Sequence, residues 1–167
     1  MVPVMWFATR MKRFAGWMMC LLLCTCSVFA GGNKGKPTYV SFHIETEGSD
    51  NPKMISPLEV MGKQRFFRRI PEVSSKDFVA FSPFPAEDQG SYGVIFQLKD
   101  NARRRFSAVT NANQGKWLVC QGFGRVLDGV LIDAPIDDGV IVVWKGFSLD
   151  EIKQLDETLP RFGKKKK

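Results

Sequence analysis

A long run without any charged residue, Phe14–Asn33, constrains this chain more than any other feature. Lys12 and Arg13 come directly before the run, and Ala30 stands before two glycines near its end. A basic start, an apolar middle and a small residue at the end are typical of a secretory signal peptide. We therefore predict that residues 1–30 direct the protein out of the cytoplasm, to a periplasmic or other extracytoplasmic location.

Three alternatives remain open for this leader. The segment is cleaved, or it stays as an N-terminal anchor, because the uncharged run is just long enough to span a bilayer. The third alternative is lipid attachment at Cys24 or Cys26, although Leu23 and Thr25 are not the small residues that such a site prefers. Membrane contact is expected only through an uncleaved leader or a lipid. The true start is either Met1 or Met11.

The charge distribution argues against a nucleic-acid-binding protein. The formal net charge is +7, of which Arg10, Lys12 and Arg13 contribute three and Lys164–Lys167 contribute four. The body between them is neutral, so the high isoelectric point reflects only the two ends and not a basic surface. Cys120 is the one cysteine after the leader, which excludes an internal disulfide and predicts a small buried core residue.

After a flexible lead-in at residues 31–37, residues 38–163 are predicted to form one α+β domain, with a basic tail at 164–167. Alternation in Val40–Glu45 indicates a half-buried strand with His43 on its solvent-facing side. Leu58–Val60 and Gln64–Ile70 are predicted to pair as a hairpin around Gly62-Lys63. A turn at 75–77 precedes a strand at 78–81, which Pro83 and Pro85 either end or place at a sheet edge.

The second half of the domain adds further strands and two helices. Tyr92–Leu98 reads as a strand, and Asp100 is expected to cap a helix that runs to about Thr110. Trp117–Gln121 is another strand, Gly122, Gly124 and Gly129 are assigned to turns, and Val140–Trp144 resembles a central strand buried on both faces. Ser148 and Glu151 form a capping box for a last helix, whose apolar stripe is Leu149, Ile152, Leu155 and Leu159. This order favours an antiparallel or mixed sheet with two helices packed on one face.

No enzyme signature, cofactor motif or metal site emerges from the residues. His43 is the only histidine, so it is the only candidate base of that type for a Ser or Cys nucleophile. Asp133, Asp137 and Asp138 cluster around proline and glycine and are interpreted as turn formers rather than calcium ligands. The glycines of residues 122–129 do not have the spacing of a nucleotide-binding loop.

An ordered set of short motifs from residue 94 onward resembles the head subdomain of the first periplasmic domain of SecD/SecDF protein-export membrane proteins. The motifs are a Phe-x-x-x-Thr helix, a Gly-Lys before an apolar strand, a Gly-Arg-Val turn, an Ile-x-x-Pro-Ile segment and a Gly-Phe-Ser helix start. Their residues are Phe106, Thr110, Gly115, Lys116, Gly124, Val126, Ile132, Pro135, Ile136, Gly139, Gly146, Phe147 and Ser148. Residues 71–81 also resemble the family's entry strand.

The resemblance implies the fold of the head and contact with emerging polypeptide on the outer side of the membrane. The chain would be a stand-alone copy, because it has no transmembrane segment after Ala30 to carry the family's proton-transferring acids. It also departs from the family at Gly129-Val130, where Ala-Pro is frequent. The expected partners are the Sec translocation machinery or unfolded exported polypeptides.

Two functional hypotheses follow. In the first, the domain is a non-enzymatic module that binds extended polypeptide, with an exposed sheet edge adding a peptide strand through main-chain hydrogen bonds. Five phenylalanines near expected edge strands are the candidate contacts, although core packing is the simpler interpretation of them: Phe66, Phe67, Phe78, Phe81 and Phe84. In the second, the domain is a cell-envelope adaptor that binds one folded partner through a fixed apolar patch.

Overall fold

The structure is a computed structural model and describes residues 39–163. The predicted leader at 1–30, the lead-in at 31–37 and the basic tail at 164–167 lie outside the described residues. Within the described range, no helix is both long and apolar enough to cross a membrane.

The described chain forms nine strands and two α-helices, and the predicted α+β class is confirmed. The elements are β1 (Val40–Thr46), β2 (Ile55–Val60), β3 (Lys63–Arg68), β4 (Val73–Ser74), β5 (Phe78–Pro85), β6 (Tyr92–Leu98), α1 (Asp100–Ala112), β7 (Trp117–Gly122), β8 (Arg125–Leu131), β9 (Val140–Phe147) and α2 (Leu149–Thr158). All pairs between these strands are antiparallel. They form two sheets, of order β2-β3-β1-β7-β8, with β4 beside β1, and of order β5-β6-β9.

One large core joins both sheets and both helices. Phe96 of the smaller sheet stacks on Phe78 at 4.4 Å between ring centroids and meets Phe42 of the larger sheet edge-on at 6.2 Å. Phe106 of α1 and Leu155 of α2 are fully buried in the same cluster. The two helices therefore contribute to a shared core, which is why the two sheets do not form separate domains.

The predicted β2–β3 hairpin forms, but its loop lies one residue before the predicted Gly62-Lys63, because Lys63 already pairs with Val60. A two-residue loop, Met61-Gly62, joins the strands, and both residues have positive φ, 52° and 70°. Two positive φ values are characteristic of a type I′ turn, whose twist matches that of the flanking strands. The predicted second strand is two residues too long, because β3 ends at Arg68.

The β2–β3 hairpin, although it belongs to the larger sheet, lies over the second face of β1. The prediction that His43 faces solvent is therefore wrong. His43 is only 7% exposed, with Nδ1 2.8 Å from the carbonyl oxygen of Arg68 and Nε2 2.9 Å from the Ser41 hydroxyl. Val60, Phe67 and Val119 form a second, smaller core on this side. Alternation in β1 marks its more apolar face correctly but carries no information about a segment that folds over the other face.

An ion pair connects the same hairpin to strands β1 and β7. The Nη1 atom of Arg65 lies 2.7 Å from Oε1 of Glu45, whose Oε2 accepts a hydrogen bond from the Trp117 backbone at 2.9 Å. The Arg65 guanidinium also lies 4.9 Å from the centre of the Trp117 ring. Strands β1, β3 and β7 are thus linked by one ion pair and one aromatic ring.

Stability is expected to fall as the pH drops below about 6.5 because of His43. Burial lowers the pKa of His43, while the Arg68 carbonyl and Glu72 act in the opposite direction. Below its ordinary pKa of 6.5 the imidazole binds a proton in the unfolded chain before it does so in the folded one. The free energy of unfolding should therefore decrease by up to about 1.4 kcal/mol per pH unit until the lowered pKa is reached.

Urea denaturation at pH 7.5, 6.5 and 5.5 measures this dependence. A matched His43→Gln variant has no imidazole to titrate and should lose most of the slope in this window. Equal slopes for the two proteins would show that burial of His43 does not shift its pKa in the folded state.

The two helix starts differ from each other in how well the sequence predicts them. The capping box of α2 is confirmed, since the Ser148 backbone donates to Glu151 at 2.8 Å and the Glu151 backbone donates to the Ser148 hydroxyl. The N-cap of α1 is Lys99, so the predicted capping by Asp100 is wrong. Asp100 instead lies in the first turn, where a negative charge favours the helix dipole. Leu149 is exposed and does not belong to the buried stripe of α2.

Two predictions for the β8–β9 region are also wrong. Gly129 lies inside β8 rather than in a turn. Strand β9 is an outer strand of the smaller sheet and alternates between buried and exposed residues, so Val140–Trp144 is not a central strand buried on both faces. A run of apolar residues predicted burial on both sides, but on the second side Val142 is only half-buried and Trp144 is exposed.

Most motif residues lie in the core or in the turns and loops that connect the elements. The Thr110 hydroxyl donates to the Phe106 carbonyl at 2.9 Å and accepts from the Ile136 backbone at 2.9 Å. Gly115 and Lys116 exchange backbone hydrogen bonds with Ile132 at 2.8 and 2.9 Å. These bonds attach the loop between β8 and β9 to the end of α1, which is a structural role for the Thr, Gly-Lys and Ile-x-x-Pro-Ile motifs.

Replacing Thr110 by valine should destabilise the fold by about 1–3 kcal/mol. The volume is conserved, but the Ile136 N–H loses its acceptor next to a fully buried position. Thermal or urea unfolding measures the loss, and Thr158→Val, at the end of α2, is a matched control. A change no larger than in this control would mean that the loop does not depend on the Thr110 hydroxyl.

Candidate functional site

Four apolar side chains, of which Trp144 is exposed and the other three are half-buried, lie together on one side of the smaller sheet. Alternation along its strands sends Phe81, Phe96 and Ile141 into the core, where they are almost fully buried. The opposite side of the same strands carries the four residues that we call the outer face: Phe84, Ile95, Val142 and Trp144. Ile95 and Val142 are directly paired across β6 and β9, and Phe84 lies in the neighbouring row.

Trp144 dominates the outer face. It is 61% exposed, although tryptophan is one of the most apolar and bulky side chains. The Phe84 ring meets it edge-on, with centroids 6.1 Å apart and planes at 75°. One aromatic ring thus supports the other and leaves much of the indole open to solvent.

The five phenylalanines predicted as peptide contacts lie in different places. Phe67, Phe78 and Phe81 are buried in the two cores, as the core interpretation has it. Phe66 and Phe84 are half-buried, but Phe66 belongs to the larger sheet. The structure therefore brings only Phe84 of this set into the outer face.

The free edge of β5 offers little to an added peptide strand. The Phe81 N–H donates to the Pro160 carbonyl at 3.0 Å, and the Phe81 carbonyl accepts from Phe162 at 3.1 Å. The backbone N and C=O groups of successive residues alternate between the two edges of a strand. Those of Pro83 and Pro85 therefore lie on the same free edge of β5 as those of Phe81. Neither proline has an N–H group, and prolines of this kind are typical of protected edges. The predicted edge position of this strand is confirmed.

Aspartates occupy the free edge of β9. The Val140 N–H donates to Oδ1 of Asp138 at 2.9 Å, and the Trp144 N–H donates to Oδ2 of Asp128 at 3.0 Å. Val142 lies between these two capped positions. Pro57 interrupts β2, the outer strand of the larger sheet, in a comparable way. Recognition through main-chain pairing is therefore less favoured by this geometry than recognition through the side chains of the outer face.

The remaining chemically reactive groups do not assemble into a site. Cys120 is buried, and burial raises the pKa of its thiol well above the ordinary value. Asp133 and Asp137 are exposed in the loop after β8, and Asp138 caps β9. Among residues 39–163, no group of three or more His, Cys, Asp or Glu side chains is arranged to hold a metal ion. A recess of about 290 Å³ lies elsewhere, lined by residues that include Asp50, Met54 and Ile70.

The sequence-based reasoning missed Trp144, Val142 and Ile95 as candidate contacts. Trp144 was assigned to a strand buried on both faces, because five apolar residues follow one another there. The charged Lys145 directly after it, and the prolines around Phe84, are the signals that would have indicated a sheet face without a covering layer.

Two solved structures of SecDF resemble the described fold. One is of a membrane component SecDF that enhances protein export, with 20% sequence identity and a TM-score of 0.49, and the match covers 71% of this chain and 60% of that chain. The chain is similar to SecDF. The other structure shows SecDF in a super-membrane-facing form, with 19% identity, a TM-score of 0.46 and coverage of 73% of this chain and 18% of that chain.

Both matches are to SecDF structures, the family that the motifs resemble. This chain spans less than two thirds of the length of either SecDF chain, and at this level of identity the similarity concerns the fold alone. No family model and no curated protein sequence matches the chain.

Proposed function

We propose that this protein is an exported, non-enzymatic module that binds unfolded polypeptide through its outer face. The observation that carries the proposal is the exposure of Trp144, supported by Phe84, on a sheet whose edges are closed by prolines and aspartates. Apolar surface of this kind gains free energy when an apolar partner removes it from water. A ligand that contacts side chains rather than the sheet edge fits this arrangement.

The size of the outer face favours a short extended segment over a folded partner. Three strands spaced about 4.8 Å apart span about 10 Å, and the two rows of the outer face lie about 7 Å apart along the strands. A stable interface between folded proteins buries about 800 Å² on each side, which is several times this area. An extended segment of three or four residues is about 10–13 Å long and matches it.

A role in export rests on the motifs between Phe106 and Ser148, which resemble the SecD head. The Sec translocation machinery and the polypeptides that emerge from it are accordingly the proposed partners, and an extracytoplasmic location is the proposed compartment. No cofactor, metal ion or nucleic acid enters the proposal, and contact with the membrane is confined to the N-terminal segment.

Titration with unfolded polypeptide tests the proposal directly. The chain, purified from the cell fraction in which it resides and fluorescently labelled, is mixed with a reduced and unfolded exported protein and with the same protein in its folded state. Binding of the unfolded form in the micromolar range, and much weaker binding of the folded form, is expected. No change in anisotropy at high micromolar concentration would overturn the proposal.

A folded-partner adaptor is the second candidate function. The observation that favours it is the apolar surface at the open end of the hairpin, where Met54 and Ile70 are both exposed beside the 290 Å³ recess. In-cell crosslinking from position 70 and from position 144 separates the two functions. A single stoichiometric product from position 70, with none from position 144 and no Sec component, would support the adaptor instead.

A further inference from the structure

The aromatic pair Phe84–Trp144 packs closely against the strand beneath it. Gly93 of β6 lies beneath it, and a Cβ atom built on Gly93 would collide with the Phe84 ring and come within 2.6 Å of the Trp144 carbonyl oxygen. The pairing of β6 with β9 shifts register between Tyr92 and Val94, at this same glycine. Only a residue without a side chain lets the ring and the neighbouring strand approach so closely.

Pro85, which follows Phe84 in β5, restricts the backbone of Phe84. A residue before a proline is confined largely to extended backbone conformations. The position of the Phe84 ring is therefore set by its own strand, by the glycine below it and by the edge contact with Trp144 at 6.1 Å. An aromatic pair that is already ordered in the free protein loses little conformational entropy when it binds a ligand.

We propose that this pair selects aromatic side chains of an extended polypeptide and that Gly93 positions the pair; this inference rests on the proposed function. The exposed surface of Trp144 accepts a third ring by stacking or edge-to-face contact. Aromatic pairs contribute about 0.5–1.5 kcal/mol beyond the area that they bury, which corresponds to about a 2- to 12-fold preference over an aliphatic side chain. The ligand segment lies across the strands of the outer face, because the strand edges are closed.

Two peptides that differ at one position test the selectivity. Both are soluble, unstructured twelve-residue peptides of glycine, serine and threonine, with either Phe or Leu at the centre, and binding is measured with the full chain as the cell produces it. The chain carries 5-fluorotryptophan, and Trp144→Phe assigns the resonance of Trp144. We expect the Phe peptide to bind more tightly than the Leu peptide and to shift that resonance.

Gly93→Ala and Phe84→Leu test the positioning role. Each variant should reduce the Phe-over-Leu ratio to about one, and Phe84→Leu keeps the test valid where Gly93→Ala fails to fold. A ratio that persists in folded variants would overturn the assignment to this pair. Equal binding of both peptides by the unaltered chain would overturn the selectivity and leave the proposed function standing. Failure of both peptides, together with failure of the unfolded protein in the titration above, would overturn the two proposals together.

Discussion

Replacing Trp144 by alanine is expected to weaken the binding of unfolded polypeptide by about 30-fold or more. Large aromatic residues at the centre of a binding surface typically contribute 2 kcal/mol or more to its affinity. Trp144 is the largest and most exposed member of the outer face, and its loss also removes the partner of Phe84. The measurement is the dissociation constant for one unfolded polypeptide, by fluorescence anisotropy, for both proteins under identical conditions.

The fold should tolerate this substitution. A side chain that is 61% exposed in the free protein adds little to its stability, so we expect the free energy of unfolding to change by less than about 1 kcal/mol. Ile70→Ala is the matched control, because Ile70 is 64% exposed but lies outside the smaller sheet. Unchanged affinity in the Trp144 variant, or an equal loss in the Ile70 variant, would show that the outer face is not the binding surface.

Replacing Phe96 by alanine is expected to lower the free energy of unfolding by about 3–5 kcal/mol. Phe96 is fully buried, and its ring contacts Phe42, Phe78 and Phe147. Truncation leaves a cavity in the core between the two sheets. Replacing a buried phenylalanine by alanine typically lowers the free energy of unfolding by this amount. Urea denaturation followed by circular dichroism measures the change.

The same experiment tests whether the two sheets unfold together. If they share one core, the Phe96 variant should still unfold in a single transition with an unchanged dependence on urea concentration. Ile70→Ala should stay within about 0.5 kcal/mol of the unaltered protein. Two separate transitions, or a loss below 1 kcal/mol, would contradict the single core.

Local signals in the sequence predicted the elements whose geometry is set by neighbouring residues. Strand β6 has the predicted bounds, the capping box of Ser148 and Glu151 starts α2, and the hairpin closes within one residue of the predicted Gly62-Lys63. Each of these depends on interactions between residues a few positions apart in the chain. Such local interactions can be predicted from the sequence alone.

Only the tertiary structure decided which faces are covered. His43 and Trp144 both occupy strands, yet the first is buried under a hairpin and the second is open to solvent, the reverse of what their polarity predicts. Burial of a strand's second face depends on whether another segment, distant in the chain, folds across it, and alternation within the strand does not encode that. The outer face exists because no segment of the described chain covers Trp144 on that side of the smaller sheet, so that its side chain is 61% exposed.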